Sequence, residues 1–210
     1  LNEINKYRIP LETRFGLYKL LKDVTLILDN NHINYWAEGG TTLGIIRDGN
    51  QILHDDDADI SINIKDKDKL LSIKQVFIDK GYLISEYEGM LKVYIPDKWF
   101  KNDYRVFGTP TLDIFYYKKM MGRYMLSNKE LRDAYKKSYY LTHEVFPLQK
   151  MKYHDILINV VNKPHGYLDR LYPDWKNTYV IDIRDEPTEE QVNIKNRSIK
   201  FNIKTLDIIP

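Results

Sequence analysis

The 210-residue chain contains no cysteine, which excludes thiol catalysis, cysteine-type zinc sites and disulfide bonds. It also lacks a long apolar run. No stretch approaches the about 18 residues that a membrane span requires, and the mean hydropathy is −0.51. A large charge of one sign is absent too, because 32 basic residues stand against 30 acidic ones and leave a net charge of +2. With so small an excess we expect no nucleic-acid partner.

Internal repeats, low-complexity tracts and glycine- or serine-rich linkers are missing as well, so we interpret the chain as one continuous unit. Its length is sufficient for a core that needs no disulfide or metal to hold it together. We place a domain at residues 1–180 and an extended polar tail, packed on that domain, at 181–210. The chain begins at Leu1 rather than methionine, so a signal or anchor could have preceded it. The compartment, cytoplasmic or lumenal, and the oligomeric state stay open.

Hydrophobic periodicity predicts helices and strands in alternation. Helical spacing predicts helices over residues 11–30, 41–47 and 67–80, and a short one after Pro164. Alternating patterns predict strands over residues 33–37, 57–64, 82–87, 91–95, 111–117 and 156–161. Ser127 and Glu130 form a capping-box pattern that opens a further helix of about two turns. This order predicts an α+β fold with a small mixed β-sheet flanked by helices.

The densest group of chemistry-bearing residues is the acidic run from Asp55 to Asp59. Ala58 and Ile60 alternate with Asp57 and Asp59, so the strand buries one face and projects carboxylates from the other. If the strand extends back to Asp55, that side chain joins the same face. Carboxylates at this spacing can converge on two divalent ions about 3.5–4 Å apart. Because oxygen ligands select hard cations, Mg²⁺ or Mn²⁺ is expected rather than zinc.

Gly39 and Gly40 follow a predicted strand and open a predicted helix. A backbone without side chains lets a phosphate approach the helix N-terminus, where N–H groups and the helix dipole favour an anion. Thr41 or Thr42 could add a hydroxyl donor. We therefore expect these four residues to contact the substrate.

Three further polar residues are candidates for the same site. Arg47 could clamp a phosphate oxygen, or it could pair with Asp48 or Asp55 instead. Glu38 is either an orienting residue behind the site or a base for a nearby donor. Asp113 projects from a separate predicted strand, on the face opposite its apolar neighbours, and would complete a metal cluster from that side.

These motifs together resemble the signature of the LicD family, which includes bacterial phosphorylcholine transferases and the animal fukutin and fukutin-related proteins. The resemblance covers roughly residues 16–180. It is carried by EGGTTLGIIR at 38–47, DDDADI at 55–60, TLDIF at 111–115, FPL at 146–148 and YLDRLYPDW at 167–175. Family members usually have a histidine after the arginine and a tryptophan before the aspartate run. Asp48 and His54 occupy those positions here.

The resemblance implies a nucleotidyltransferase-like fold and a metal-dependent phosphotransferase activity. Such an enzyme moves a phosphorylated alcohol, of the phosphocholine or polyol-phosphate kind, from a CDP-linked donor to a hydroxyl of a glycan or cell-surface polymer and releases CMP. By the same resemblance, Asp57 and Asp59 are the paired metal ligands and Asp113 is the third. Asp55 or Asp56 is then placed to take the proton of the acceptor hydroxyl.

Two alternative functions use the same residues. A nucleotidylyltransferase would leave the nucleotide on the acceptor and release pyrophosphate. A catalytically silent glycan- or nucleotide-binding module would need no metal at all. The crowded aspartates argue against the silent module, because their mutual repulsion would bring it no benefit.

Overall fold

The fold is described from a computed structural model that covers residues 3–96, 100–102, 105–107, 110–183 and 197–209. The helices are α1 (Leu11–Asn30), α2 (Gly39–Asp48), α3 (Lys67–Ser72), α4 (Lys74–Asp79), α5 (Lys129–Ala134), α6 (Thr142–Val145) and α7 (Pro164–Leu171). The first nine strands are β1 (Tyr35–Ala37), β2 (Asp57–Asn63), β3 (Leu83–Tyr87), β4 (Met90–Tyr94), β5 (Phe100–Asn102), β6 (Arg105–Phe107), β7 (Thr111–Met120), β8 (Arg123–Leu126) and β9 (Tyr139–Leu141). The remaining five are β10 (Gln149–Tyr153), β11 (Ile156–Val160), β12 (Thr178–Ile183), β13 (Arg197–Asn202) and β14 (Ile208–Ile209).

The main sheet has seven strands and is mixed. Its order is β1-β2-β7-β4-β3, and β8 continues from β7 to β9. Strands β2 and β7 run parallel, whereas the other pairs in this sheet are antiparallel. Helices flank the sheet, so the predicted α+β class with a mixed sheet is confirmed. Among the described residues, no helix combines the length and the hydropathy that crossing a bilayer requires.

The two faces of the sheet have different partners. Ala58, Ile60 and Ile62 of β2 join the larger core cluster, which also contains the buried side of α1. Alternation turns Asp57, Asp59 and Ser61 to the opposite face. A second cluster lies on that opposite face, and it is rich in aromatic side chains: Trp36, Tyr117, Tyr140, Tyr167 and Trp175. The acidic residues therefore stand between a packed sheet and an aromatic layer.

Most predicted elements are confirmed, with shifted ends. Helix α1 has the predicted bounds, and the β3–β4 hairpin turns at Glu88 and Gly89 as predicted. The helix predicted over residues 67–80 is instead two helices, which meet at Ile73. The cap of α5 is Asn128 rather than Ser127, because the Asn128 side chain accepts the backbone N–H of Leu131 at 2.9 Å.

The described part of the predicted tail is a small antiparallel sheet. Strand β12 pairs with β13, and β13 pairs with β14. Ile181 and Phe201 are fully buried and pack with Ile4 near the start of the chain. Residues 184–196 and 210 of the predicted tail lie outside the described residues. Strand β12 crosses residue 180, and the division of the chain at that point stays a prediction.

Candidate active site

Parallel pairing of β2 with β7 brings the predicted carboxylates to one place. The register sets Asp59 directly opposite Asp113, and Asp57 opposite Thr111. Residues opposite each other on neighbouring strands project from the same face of a sheet. Two segments that lie 54 positions apart in the sequence therefore contribute to one acidic site.

Three carboxylates form the tightest group that could hold a cation among the described residues. Carboxylate oxygens of Asp55, Asp56 and Asp57 lie within 4.8 Å of one another. Strand β2 begins at Asp57, so Asp55 belongs to the loop before the strand rather than to the strand. The donors are all carboxylate oxygens, which fits a hard divalent cation. This group does not include Asp59 or Asp113, and the metal set of Asp57, Asp59 and Asp113 stays a prediction.

The surroundings of Asp59 favour a nearby cation. Its pKa is raised well above the ordinary value, first by burial and then by the charges of Asp57, Asp113 and Asp55. A negative charge at Asp59 is therefore costly while its neighbours are also ionised. A bound cation would relieve this cost, which supports a cation site at this end of β2.

Lys92 is a site residue that sequence reasoning missed. It lies opposite Asp113 in the antiparallel pairing of β4 with β7. Its ammonium donates to both carboxylate oxygens of Asp113, at 2.6 and 2.7 Å. Burial raises the pKa of Asp113, and Lys92 opposes that rise. The alternation of Leu91, Lys92 and Val93 in a predicted strand was a usable signal, because it turns the lysine away from the core.

The two glycines allow carboxylates to approach the start of α2 closely. Gly39 has φ +47°, and a methyl group built there would lie 3.0 Å from Oδ2 of Asp59. A methyl group on Gly40 would collide with the carboxylate of Asp55. The Thr41 hydroxyl accepts the backbone N–H of Asp59 at 2.7 Å, which ties α2 to β2. Gly39 is favoured by its positive φ, and a side chain at Gly40 would have to displace the Asp55 carboxylate. Phosphate binding at this turn stays a prediction.

Glu38 is buried, and its carboxylate is engaged by hydroxyl groups inside the protein. Five hydroxyl groups donate to its carboxylate, at 2.5–3.1 Å: those of Tyr117, Tyr140, Tyr167, Ser61 and Ser138. Burial, followed by the charge of Glu38, raises the pKa of all three tyrosines well above the ordinary value. These phenols therefore stay protonated and act as donors. Sequence reasoning missed all five partners, although YLDRLYPDW contains Tyr167.

Thr42 is enclosed inside the protein, and Arg47 is engaged by neighbouring residues. Thr42 is fully buried, its backbone N–H donates to the Glu38 carbonyl at 3.0 Å, and its hydroxyl has no hydrogen-bond partner among the described residues. Arg47 donates to both oxygens of Asp48, at 2.8 and 2.9 Å, and its guanidinium lies 4.3 Å from the ring centre of Tyr179. Of the alternatives considered for Arg47, the structure shows the pair with Asp48.

The comparisons with known proteins agree with this geometry. The family profile described as LicD/FKTN/FKRP, nucleotidyltransferase domain, matches residues 32–163, which include α2, β2 and β7. The chain belongs to the LicD family. An uncharacterized protein of Rickettsia prowazekii (strain Madrid E) is 34% identical to it over 179 residues, which are 85% of this chain and 62% of that protein. For an uncharacterized protein of Rickettsia typhi (strain ATCC VR-144 / Wilmington) the identity is 32%, over 85% of this chain and 52% of that protein.

LicD membership indicates a transferase of the phosphotransferase or nucleotidyltransferase-like kind. The chain spans about half to three fifths of the length of the two relatives it matches. The donor, acceptor and partners of the whole protein are therefore matters for proposal.

Two cavities of this LicD domain open onto the same two carboxylates. The larger cavity, of about 460 Å³, and the smaller cavity, of about 300 Å³, are both lined by Asp57, Asp59, Leu171 and Tyr172. The larger cavity adds Gly40, Arg47, His54, Asp55, Asp56 and Val180, among others. The smaller cavity adds Glu38, Gly39, Asp113, Phe115, Tyr135 and Ser138, among others. Both volumes lie within the range of about 300–1,000 Å³ that is usual for small-molecule sites.

Proposed function

We propose that this domain is a metal-dependent phosphotransferase. It would move a phosphorylated alcohol, of the phosphocholine or polyol-phosphate kind, from a CDP-linked donor to a hydroxyl of a glycan or cell-surface polymer and release CMP. The observation that carries the proposal is the register of β2 against β7, which sets Asp59 opposite Asp113 in a chain of the LicD family. The cytidine and the glycan come from the family resemblance.

The acidic residues would hold the metal, as Mg²⁺ or Mn²⁺. Asp57 and Asp59 are the proposed paired ligands, and Asp113 becomes available as the third when the Lys92 ammonium leaves it. A bound divalent ion supplies charge neutralisation for the diphosphate of the donor. Glu38, held by its five hydroxyl partners, fixes the start of α2 and so keeps the glycine turn against the carboxylates.

The protein groups then position the reactants and accept one proton. The oxygen of the acceptor hydroxyl forms a bond to the phosphorus that carries the alcohol. The bond from that phosphorus to the bridging oxygen breaks, and its electron pair leaves with CMP. The hydroxyl proton passes to a carboxylate, for which we propose Asp55. It is half-buried beside Gly40, and one of its oxygens lies within 4.8 Å of an oxygen of Asp57, which lines both cavities.

A screen of CDP-linked compounds tests the proposal. CDP-choline, CDP-ribitol and CDP-glycerol are supplied with Mg²⁺ or Mn²⁺ and a mixture of methyl glycosides, and CMP release is measured. We expect release with one of these donors, its loss with EDTA, and its loss in Asp57→Asn. Asp133→Asn serves as the matched control, because Asp133 is exposed on α5 and pairs only with Lys129 among the described residues.

The same assay separates the alternatives. A nucleotidylated acceptor with pyrophosphate release from CTP would indicate a nucleotidylyltransferase. Nucleotide binding without any product would indicate a silent module. Rescue of EDTA-treated protein by zinc alone would contradict the oxygen-only ligand set.

A further inference from the structure

The two cavities meet at one point, and this is the arrangement that a transfer between two reactants requires. Asp57 and Asp59 line both cavities, and Leu171 and Tyr172 form a shared wall between them. In a phosphoryl transfer the attacking and leaving oxygens lie roughly in line, on opposite sides of the phosphorus. Two compartments that share the same carboxylates can therefore hold one reactant each.

The larger cavity has the chemistry for the anionic reactant. Of the two cavities, it alone is lined by Asp55 and Asp56, whose carboxylate oxygens lie within 4.8 Å of one another and of Asp57, a proposed metal ligand. A diphosphate binds to carboxylates through a divalent cation. Arg47 and His54 also line this cavity, so its lining includes basic side chains as well as acids.

The smaller cavity has the opposite character. Its charged lining consists of carboxylates, those of Glu38, Asp57, Asp59 and Asp113, and no lysine, arginine or histidine of the described chain lines it. Phe115 and Tyr135 add aromatic rings to its wall. Such a lining offers a nucleotide no basic side chain, whereas aromatic faces with a few polar groups suit a neutral molecule that bears hydroxyls.

We propose that the smaller cavity is the acceptor subsite and that it receives a neutral carbohydrate ring, with Phe115 and Tyr135 setting its specificity. The nucleotide diphosphate then occupies the larger cavity. This inference rests on the proposed function, and it adds the location and the residues of acceptor binding.

The test uses substitutions that fill or open one cavity at a time. The CDP affinity and the acceptor KM are measured for each variant. Val180→Trp fills the larger cavity, at a position 43% exposed in β12. Phe115→Trp fills the smaller cavity, and Tyr135→Ala removes an aromatic wall at a position 53% exposed, where folding is not at risk. Leu26→Trp, on the exposed face of α1 and 50% exposed, is the control for adding a tryptophan.

CDP with Mg²⁺ is the probe for the larger cavity, read by thermal stabilisation. We expect Val180→Trp to weaken CDP binding by about tenfold, or 1.4 kcal/mol. In the two smaller-cavity variants, the dissociation constant for CDP should stay within about twofold of that of the unmodified chain. Methyl hexosides are the probe for the smaller cavity. We expect Phe115→Trp and Tyr135→Ala to raise the acceptor KM by about tenfold. Leu26→Trp should change neither the CDP affinity nor the acceptor KM.

Two results would overturn the inference. Loss of CDP binding in Phe115→Trp and Tyr135→Ala would show that the nucleotide enters the smaller cavity. CMP release without transfer to any methyl hexoside, or an unchanged KM in both variants, would exclude the carbohydrate subsite. If the unmodified chain does not bind CDP, the proposed function has failed, and pyrophosphate with Mg²⁺ replaces CDP. Only Val180→Trp should then weaken pyrophosphate binding. Equal weakening of pyrophosphate binding in all three cavity variants would overturn the assignment of the anion to the larger cavity.

Discussion

At the scale of single residues, Asp59 shows how function and stability oppose each other. Burial and four neighbouring carboxylates raise its pKa, so the metal-free fold favours the protonated form. A group whose folded pKa is raised contributes stability at low pH, and that contribution is lost as the pH rises through the folded pKa. At neutral pH the ionised Asp59 therefore costs the metal-free protein stability that a cation would restore.

Asp59→Asn should abolish turnover and raise the melting temperature of the metal-free protein at neutral pH. The amide removes one charge from the cluster and keeps the shape of the side chain. A gain of 1 kcal/mol corresponds to about 2–4 °C in a chain of this size. The gain should disappear at a pH below about 4, where the aspartates of the unfolded chain are protonated as well. Turnover like that of the unmodified chain, or a melting temperature that falls at neutral pH, would contradict the assignment.

Lys92 allows a separate test of whether Asp113 is a metal ligand. Its ammonium holds both oxygens of Asp113, so a cation that uses Asp113 has to displace it. Lys92→Met should therefore tighten Mn²⁺ binding, measured by calorimetry, by about tenfold or 1.4 kcal/mol. Lys129→Met is the control, because its partner Asp133 lies on the surface of α5. An unchanged Mn²⁺ affinity in Lys92→Met would remove Asp113 from the ligand set.

At the scale of elements, local sequence patterns predicted which residues share one face of a strand. They did not predict which side chains from different elements contact one another. The alternation of Asp57 to Ile62 was enough to place the carboxylates on one face, and the structure confirms it. The five hydroxyl partners of Glu38 could not be predicted in this way. They come from β2, β7, β9, α7 and the loop before β9, and only the tertiary fold brings those segments together.

The start of α2 provides a prediction at this scale. In an ordinary helix, alanine is favoured over glycine by about 0.8–1.0 kcal/mol. At Gly40 a methyl group would collide with the Asp55 carboxylate, so Gly40→Ala should instead lower the free energy of unfolding. The collision disappears in Asp55→Gly, and adding Gly40→Ala to that variant should then stabilise the protein. Urea unfolding of the unmodified chain, the two single variants and the double variant gives a double-mutant cycle. Additive changes in the free energy of unfolding would show that the two residues do not interact.

At the scale of the whole molecule, the site depends on residues beyond the segment that the family profile matches. The match ends at residue 163, yet Leu171, Tyr172 and Val180 line the cavities and Tyr167 donates to Glu38. Helix α7 is held in place by Arg170, which donates to both oxygens of Glu144 in α6. The YLDRLYPDW motif, which lies beyond the matched segment, thus supplies Leu171 and Tyr172 to both cavities.

Nucleotide preference is a property of the assembled molecule, and thermal stabilisation measures it directly. CDP, UDP, GDP and ADP are compared with Mg²⁺ present, and each is repeated with EDTA. A ligand at a hundred times its dissociation constant stabilises the native state by about 2.7 kcal/mol, which corresponds to a rise of about 5–10 °C in a chain of this size. We expect CDP to give the largest rise in melting temperature, because the family resemblance implies a CDP-linked donor. EDTA should remove most of this rise, because the carboxylates would bind the diphosphate only through a cation. Equal rises in melting temperature with CDP, UDP and ADP would contradict the assignment of a CDP-linked donor. The LicD domain would then recognise a diphosphate and a metal without selecting the nucleobase. A rise that EDTA does not change would show that the nucleotide binds without the aspartates.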